Sequence, residues 1–219
     1  MARGRGGNLR VVRFVLASAS PARLAVLRAA GIDPSVVVSG VDEDAVAANL
    51  TDPSPAELVT ALALAKAEKV ADTLAGTYSD SHPAVVVGCD SMLSIGGEMV
   101  GKPKSAEDAH KRWAAMAGGT GELLTGHAVL RLDTGARAIG SRGTTVRFGT
   151  PTQHELDAYV GSGEPLAVAG AFTLDGLGGW FVEGVDGDPS SVIGISLPLT
   201  RQLLAEVGVS VVDLWPPTS

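Results

Sequence analysis

The sequence predicts an α/β fold, and three observations predict it. β-branched apolar runs alternate with segments of helical periodicity, the chain opens on a strand–turn–helix unit, and no break in composition divides it. The 219 residues are 45% apolar, enough to bury one substantial core as a single domain or as two small lobes sharing a cleft. Residues 11–212 read as that domain. Residues 1–10 read as a flexible tail and not a signal peptide, because the apolar stretch after them is short and broken by Arg13.

In chain order, Val11–Leu16 is a strand, followed by the turn Ala17-Ser18-Ala19-Ser20-Pro21 and a helix carrying Leu24, Leu27 and Ala30. Ser20 suits the N-cap, Pro21 the first helical position and Gly31 the stop. Ser35–Val38 reads as a second strand leading into an acidic loop, Val41-Asp42-Glu43-Asp44. A long helix follows over residues 56–74. Ala84–Asp90 is the most strand-like run, apolar enough to be buried on both faces. Gly96-Gly97 marks a hairpin ending at Val100-Gly101-Lys102-Pro103, and Ser105 with Asp108 predicts a capped helix over 105–117. Glu122–Leu132 and Ala136–Phe148 form two long strands joined by Asp133-Thr134-Gly135. Thr150 is expected to cap a helix from Pro151 to Val160. A strand at Trp180–Val185 and a helix at Leu197–Val207 close the fold, before a frayed end at Pro216-Pro217.

Composition excludes several function classes. A net charge of −7 argues against general binding to a nucleic-acid backbone, although local basic groups still suit a small anion. The lone Cys89 excludes a disulfide framework and a Cys-based zinc site, and suits a reducing, cytoplasmic setting. His82, His110, His127 and His154 lack ligand spacing. No apolar run approaches the roughly 20 residues of a membrane helix. No Walker loop, dinucleotide fingerprint or nucleophile elbow is present, so phosphate has to be held by separate side chains and turn amides.

The helix over 56–74 is the most informative segment. Val59, Leu62, Val70 and Leu74 share one face and Glu57, Thr60, Glu68 and Asp72 the other, which sets Lys66 inside the apolar stripe. Such a lysine either joins a buried acid in an ion pair or reaches a phosphate in a cleft. Asp90 ends a strand, where α/β sheets bind ligands, and suits a metal, a water or merely a turn. Ser18 and Ser20 stand at a helix start that favours an anion. Arg23, in the same first turn, opposes the helix dipole unless an anion lies nearby. Taken singly, Lys102 and Glu43 read equally well as solvated surface charges.

Together these segments resemble the Maf family, nucleoside triphosphate pyrophosphatases first named as septum-formation inhibitors. The likeness runs through Leu16-Ala17-Ser18-Ala19-Ser20-Pro21-Ala22-Arg23, Val41-Asp42-Glu43, Leu64-Ala65-Lys66-Ala67, Gly88-Cys89-Asp90-Ser91, Gly101-Lys102-Pro103, Leu124-Thr125-Gly126, Ser162-Gly163-Glu164-Pro165, Ala169-Gly170-Ala171-Phe172 and Val192-Ile193-Gly194, in order. It implies an elongated mixed sheet flanked by helices around a central cleft, a homodimer, and cleavage of the α–β phosphoanhydride with Mg²⁺ or Mn²⁺. By the same likeness Asp90 activates water, Glu43 joins Asp90 around the metal, and Ser18, Arg23, Lys66, Lys102 and Ser91 hold the substrate. Asp175 stands where pyrimidine-type members carry glutamine, Val168 replaces a common lysine, and Ala22 replaces an arginine. An acid offers acceptors only where an amide offers both, so neither branch's base preference carries over. The alternative reading is a nucleotide-binding regulator of septum formation with incidental hydrolysis.

Overall fold

The computed structural model describes residues 12–79 and 82–216; the tail expected at 1–10 and the end expected to fray past Pro216 lie outside the described residues. The strands are β1 (Arg13–Leu16), β2 (Ser35–Val36), β3 (Ala84–Ile95), β4 (Glu98–Val100), β5 (Thr120–Arg131), β6 (Arg137–Phe148) and β7 (Val182–Asp186). They form one mixed sheet in the order β2-β1-β3-β5-β6-β7, with β4 also beside β3. β1 runs parallel to both β2 and β3, whereas β3, β5, β6 and β7 are successively antiparallel. The helices are α1 (Pro21–Ala29), α2 (Glu43–Ala48), α3 (Pro55–Thr73), α4 (Ala106–Met116), α5 (Gln153–Gly161), α6 (Pro189–Ile193) and α7 (Leu197–Glu206). Among the described residues no helix is long and apolar enough to cross a membrane.

Strand alternation divides the burial. Val85, Val87 and Cys89 of β3 join Leu27 of α1 and Leu199 and Leu203 of α7 on one face. Val86 joins Ala63, Ala67 and Val70 of α3 on the other. Farther along the same strands a separate core forms, where Leu93, Leu123, Val146 and Phe148 pack with Trp113, Tyr159 and Phe172. The long strands therefore bridge two apolar ends, and Asp90, Ser91 and Thr125 fall at the waist between them.

Local chemistry explains several boundaries. Ser54 and Glu57 close a full capping box at the start of α3, with Pro55 in the first turn. The acidic stretch expected as a loop is instead the start of α2: Asp42 accepts from Ala45 N at 3.0 Å, which puts Glu43 in the first turn, where the dipole favours a carboxylate. The cap of α5 is Thr152, not Thr150, because only Thr152 has a glutamate three residues on, and Glu155 completes the box. Ser105 caps α4 as predicted, but Asp108 turns back to Lys104 N and not to the Ser105 amide. Trp180 and Phe181, expected to begin a strand, instead end a 3₁₀ turn over 177–181, and β7 starts only at Val182.

α3 lies on the sheet almost backbone to backbone. A Cβ on Gly88 would sit 2.2 Å from the Ala63 carbonyl oxygen, and one on Gly126 2.2 Å from the Val59 carbonyl oxygen. Only glycine fits between helix and strand at these two points. Gly126→Ala is therefore expected to lift α3 and destabilise the fold by about 1–3 kcal/mol, read from the urea midpoint. Gly161→Ala is the control, since a Cβ there meets nothing within 4 Å, and it should shift stability by no more than about 0.5 kcal/mol.

A candidate active site in a notch of the sheet

The edge of β3 is interrupted. β1 stays paired with β3 only as far as Leu16 opposite Val87, with Ala17 N donating to the Val87 carbonyl at 2.9 Å. β4 takes up the same edge from Leu93 onward. Among the described residues no strand lies beside 88–92 on that side, and the notch so formed holds Asp90 and Ser91. The Ser18–Arg23 turn follows β1 at one end of it, and the Gly101-Lys102 turn follows β4 at the other.

On one face of β3, the close seating of α3 delivers Lys66. This lysine is 9% exposed, and its Nζ lies 2.6 Å from Asp90 Oδ1 and 2.7 Å from Glu43 Oε1. Of the two readings of a lysine within the apolar stripe, the structure shows the ion pair with a buried acid, and that acid is Asp90, the candidate catalytic residue. Asp90 is 7% exposed, and burial raises its carboxyl above the usual carboxylate range although Lys66 and Arg23 pull the other way. Asp90 Oδ2 has no hydrogen bond from a described residue.

On the other face, Arg23 is held by three neutral oxygens. Its Nε donates to the Gly194 carbonyl at 2.8 Å, one terminal nitrogen to Ser18 Oγ at 3.0 Å, and the other to Ser91 Oγ at 3.2 Å. No carboxylate pairs with it among the described residues. Three of its five N–H groups are engaged and two remain. Because β1 has already stopped, nothing separates the two faces at the notch, and Asp90 and Ser91, adjacent in sequence, join the Lys66 side to the Arg23 side.

Lys102 is exposed and makes no ion pair among the described residues; its backbone is pinned by Arg112, which donates to the Lys102 carbonyl at 3.2 Å and is tied to Asp108 at 2.8 Å. Asp175 is exposed on the loop before the 177–181 turn, with no ion pair to another candidate among the described residues. That loop is gathered by Glu164, which accepts from Thr173 Oγ1, Leu177 N and Gly178 N.

A second set of residues supports the site without having stood out in the sequence as chemistry. Thr125 is fully buried opposite Ser91, its hydroxyl 3.0 Å from Ser91 Oγ and 3.0 Å from the Ser191 carbonyl. His127, also fully buried, has Nδ1 on the Thr125 carbonyl and accepts Ser196 N at Nε2 at 2.8 Å. An accepting Nε2 requires the neutral ring with its hydrogen on Nδ1. Ser196 caps α7 and donates its hydroxyl to Asp188, the cap of α6. A threonine or histidine inside a strand carries no sequence signal for such a task; only the fold brings Ser191, Gly194 and Ser196 above the strands. Cys89 is a buried hydrophobe, its thiol pushed up to about 11 by desolvation.

Glu43 and Asp90 are the two carboxylates of the site that could hold a hard divalent cation. Glu43 and Asp90 oxygens already converge on one positive charge, the Lys66 ammonium. No group of three or more metal-binding side chains exists among the described residues. Two carboxylates fit an ion such as Mg²⁺, which fills its remaining positions with water and substrate phosphate.

Comparison with known proteins identifies the family. The sequence model of the Maf-like protein family matches residues 13–207. A protein of Saccharopolyspora erythraea is 69% identical over 210 residues, covering 94% of this chain and 98% of its own. One from Nocardia farcinica is 62% identical over 206 residues (92% and 96%), and one from Mycobacterium marinum 53% over 210 residues (94% and 97%). Each of the three bears the name nucleoside triphosphate pyrophosphatase.

Burial holds the His127 imidazole down at about 4, below its ordinary value of roughly 6.5. Stability from this group is complete above about pH 6.5 and is lost as pH falls toward 4, a loss on the order of 3 kcal/mol. Urea midpoints measured from pH 7 to pH 4 should therefore fall more steeply in the native chain than in His127→Gln. Equal slopes would assign the acid loss to carboxylates such as Asp188, which hydrogen bonds from Ser190 and Ser196 hold low despite its burial.

Proposed function

The chain belongs to the Maf family, and from that premise we propose that it hydrolyses nucleoside triphosphates, or modified forms of them, to a nucleoside monophosphate and pyrophosphate. One observation carries this reading: a guanidinium with no carboxylate partner among the described residues and a buried acid already bridged to a lysine flank the same notch. A triphosphate brings about four negative charges, and a site for it needs uncompensated cations around a base that can accept a proton.

In this mechanism the two unengaged N–H groups of Arg23, the Ser18 hydroxyl and the exposed charge of Lys102 bind the phosphate chain. Asp90 Oδ2 takes the proton of the attacking water as the new oxygen–α-phosphorus bond forms and the bond from α-phosphorus to the bridging oxygen breaks. A carboxyl raised by burial is better matched to that task than an ordinary surface aspartate. Lys66 keeps Asp90 oriented and offsets negative charge as the pyrophosphate departs. Glu43 and Asp90 would hold the divalent cation, Mg²⁺ or Mn²⁺, which when bound draws charge from the phosphate oxygens. A homodimer and a cytoplasmic housecleaning role belong to this reading through the family likeness. Asp175, exposed at the outer loop, is its candidate for contact with the base.

The decisive experiment is a panel of canonical and modified nucleoside triphosphates with Mg²⁺ or Mn²⁺, products identified. Monophosphate with pyrophosphate is the expected pair. Binding without release of pyrophosphate from any of them would instead favour a nucleotide-binding regulator. Asp90→Asn should lower kcat at least ~10²-fold with the fold intact, the scale of a lost general base. Near-normal turnover in that variant would remove Asp90 from the reaction.

A further inference from the structure

The hydrogen bonds beside Asp90 have a direction, and donor counting fixes it. Arg23 can only donate, and its terminal nitrogen lies 3.2 Å from Ser91 Oγ. The Ser191 carbonyl can only accept, and it takes the Thr125 hydroxyl at 3.0 Å. Each hydroxyl owns a single hydrogen. Thr125 has spent its hydrogen on Ser191, so across the 3.0 Å contact between the hydroxyls Ser91 must donate to Thr125. The sequence of bonds therefore runs one way: Arg23 N–H to Ser91, Ser91 O–H to Thr125, Thr125 O–H to the Ser191 carbonyl.

Ser18 is placed differently. Its Oγ accepts from Arg23 at 3.0 Å and from Ser20 N at 3.2 Å, and its own hydrogen has no acceptor among the described residues. One serine beside Arg23 thus has a hydrogen to offer an oxyanion, while the other presents only lone pairs.

We infer that Ser91 and Thr125 are positioning residues that fix the Arg23 guanidinium, and that Ser18, not Ser91, is the hydroxyl that binds phosphate. This deepens the proposed function and rests on it. An oxyanion approaching Ser91 would meet an acceptor, unless the relay were broken and the Thr125 oxygen, fully buried, left without its donor. The other end of the guanidinium is held from the same element. Gly194, whose carbonyl takes Arg23 Nε, is the C-cap of α6, and Ser191, which ends the relay, lies within α6. Gly194 has φ +127°, and a Cβ there would stand 3.1 Å from Arg23 Nε, so glycine is required for the grip. The arginine is clamped at both ends to one short helix, with its remaining N–H groups free for the ligand.

The test is a double-mutant cycle with KM and kcat measured separately, alongside the Kd of a non-hydrolysable triphosphate analogue. Thr125→Val removes the hydroxyl at nearly constant volume and is expected to raise KM and Kd by up to about 10-fold with kcat within about 3-fold, the upper range for loss of a neutral hydrogen bond. Thr125→Ser should restore both constants, which a packing role for the threonine would not allow. In the Arg23→Ala background Thr125→Val should have no further effect. Ser91→Ala should behave as Thr125→Val does and couple to Arg23 in the same way, so the proposal stays testable if the buried Thr125→Val chain fails to fold. Ser18→Ala should add its own increase in KM on top of Ser91→Ala. Full additivity of Thr125→Val or Ser91→Ala with Arg23→Ala overturns the relay alone. An Arg23→Ala enzyme with unchanged KM and Kd overturns the phosphate site itself, and the relay with it.

Discussion

The close seating of α3 on the sheet is the constraint from which the rest of the molecule follows. At Gly88 and Gly126 the helix backbone touches the strands, and this contact brings a lysine ammonium onto the Asp90 carboxylate at the waist of the sheet. Taking two charges out of water is costly, and a pair of apolar residues in their place would often be no less stable. The geometry makes sense as a pre-positioned charge set: Lys66 is held in one orientation because Asp90 and half-exposed Glu43 face it. Desolvation then raises Asp90 toward the range where a carboxylate is a useful base.

Much of this was legible in the sequence because it rests on local chemistry. Ser20-Pro21 and Ser105 announce helix starts, the apolar run before Asp90 announces a buried strand, and helical periodicity alone puts Lys66 among apolar neighbours. Where the structure differs, a local competition between side chain and backbone decides the element. Asp42 looked like part of an acidic loop because residues 41–44 lack apolar periodicity, yet a side-chain oxygen in reach of Ala45 N is enough to start α2. Thr150 and Thr152 are both plausible caps until the position of Glu155 decides between them.

The support around Arg23 was illegible for a different reason. Thr125 and His127 sit on a strand, whereas Ser191, Gly194 and Ser196 lie some 60 to 70 residues later, so no spacing rule links them. Their meeting is a property of the sheet's register, which sets Ser91 opposite Thr125, and of α6 lying across that row. The family likeness named Ser91 and Leu124-Thr125-Gly126 as part of one pattern. Only the direction of the hydrogen bonds separates a group that grips a ligand from one that grips another side chain.

The interruption along β3 has a consequence for solubility as well. Backbone amides and carbonyls left without a neighbour are where foreign chains add themselves, the beginning of ordered aggregates. Here the bare stretch covers only residues 88–92, closed at one end by β1 and at the other by β4, and bordered by the charges of Lys66 and Arg23. An intruding peptide would have to fit a slot closed at both ends and strip water from charged side chains as it entered. A compact polyanion meets neither obstacle, so the break that admits a small guest also guards the sheet against polymerisation.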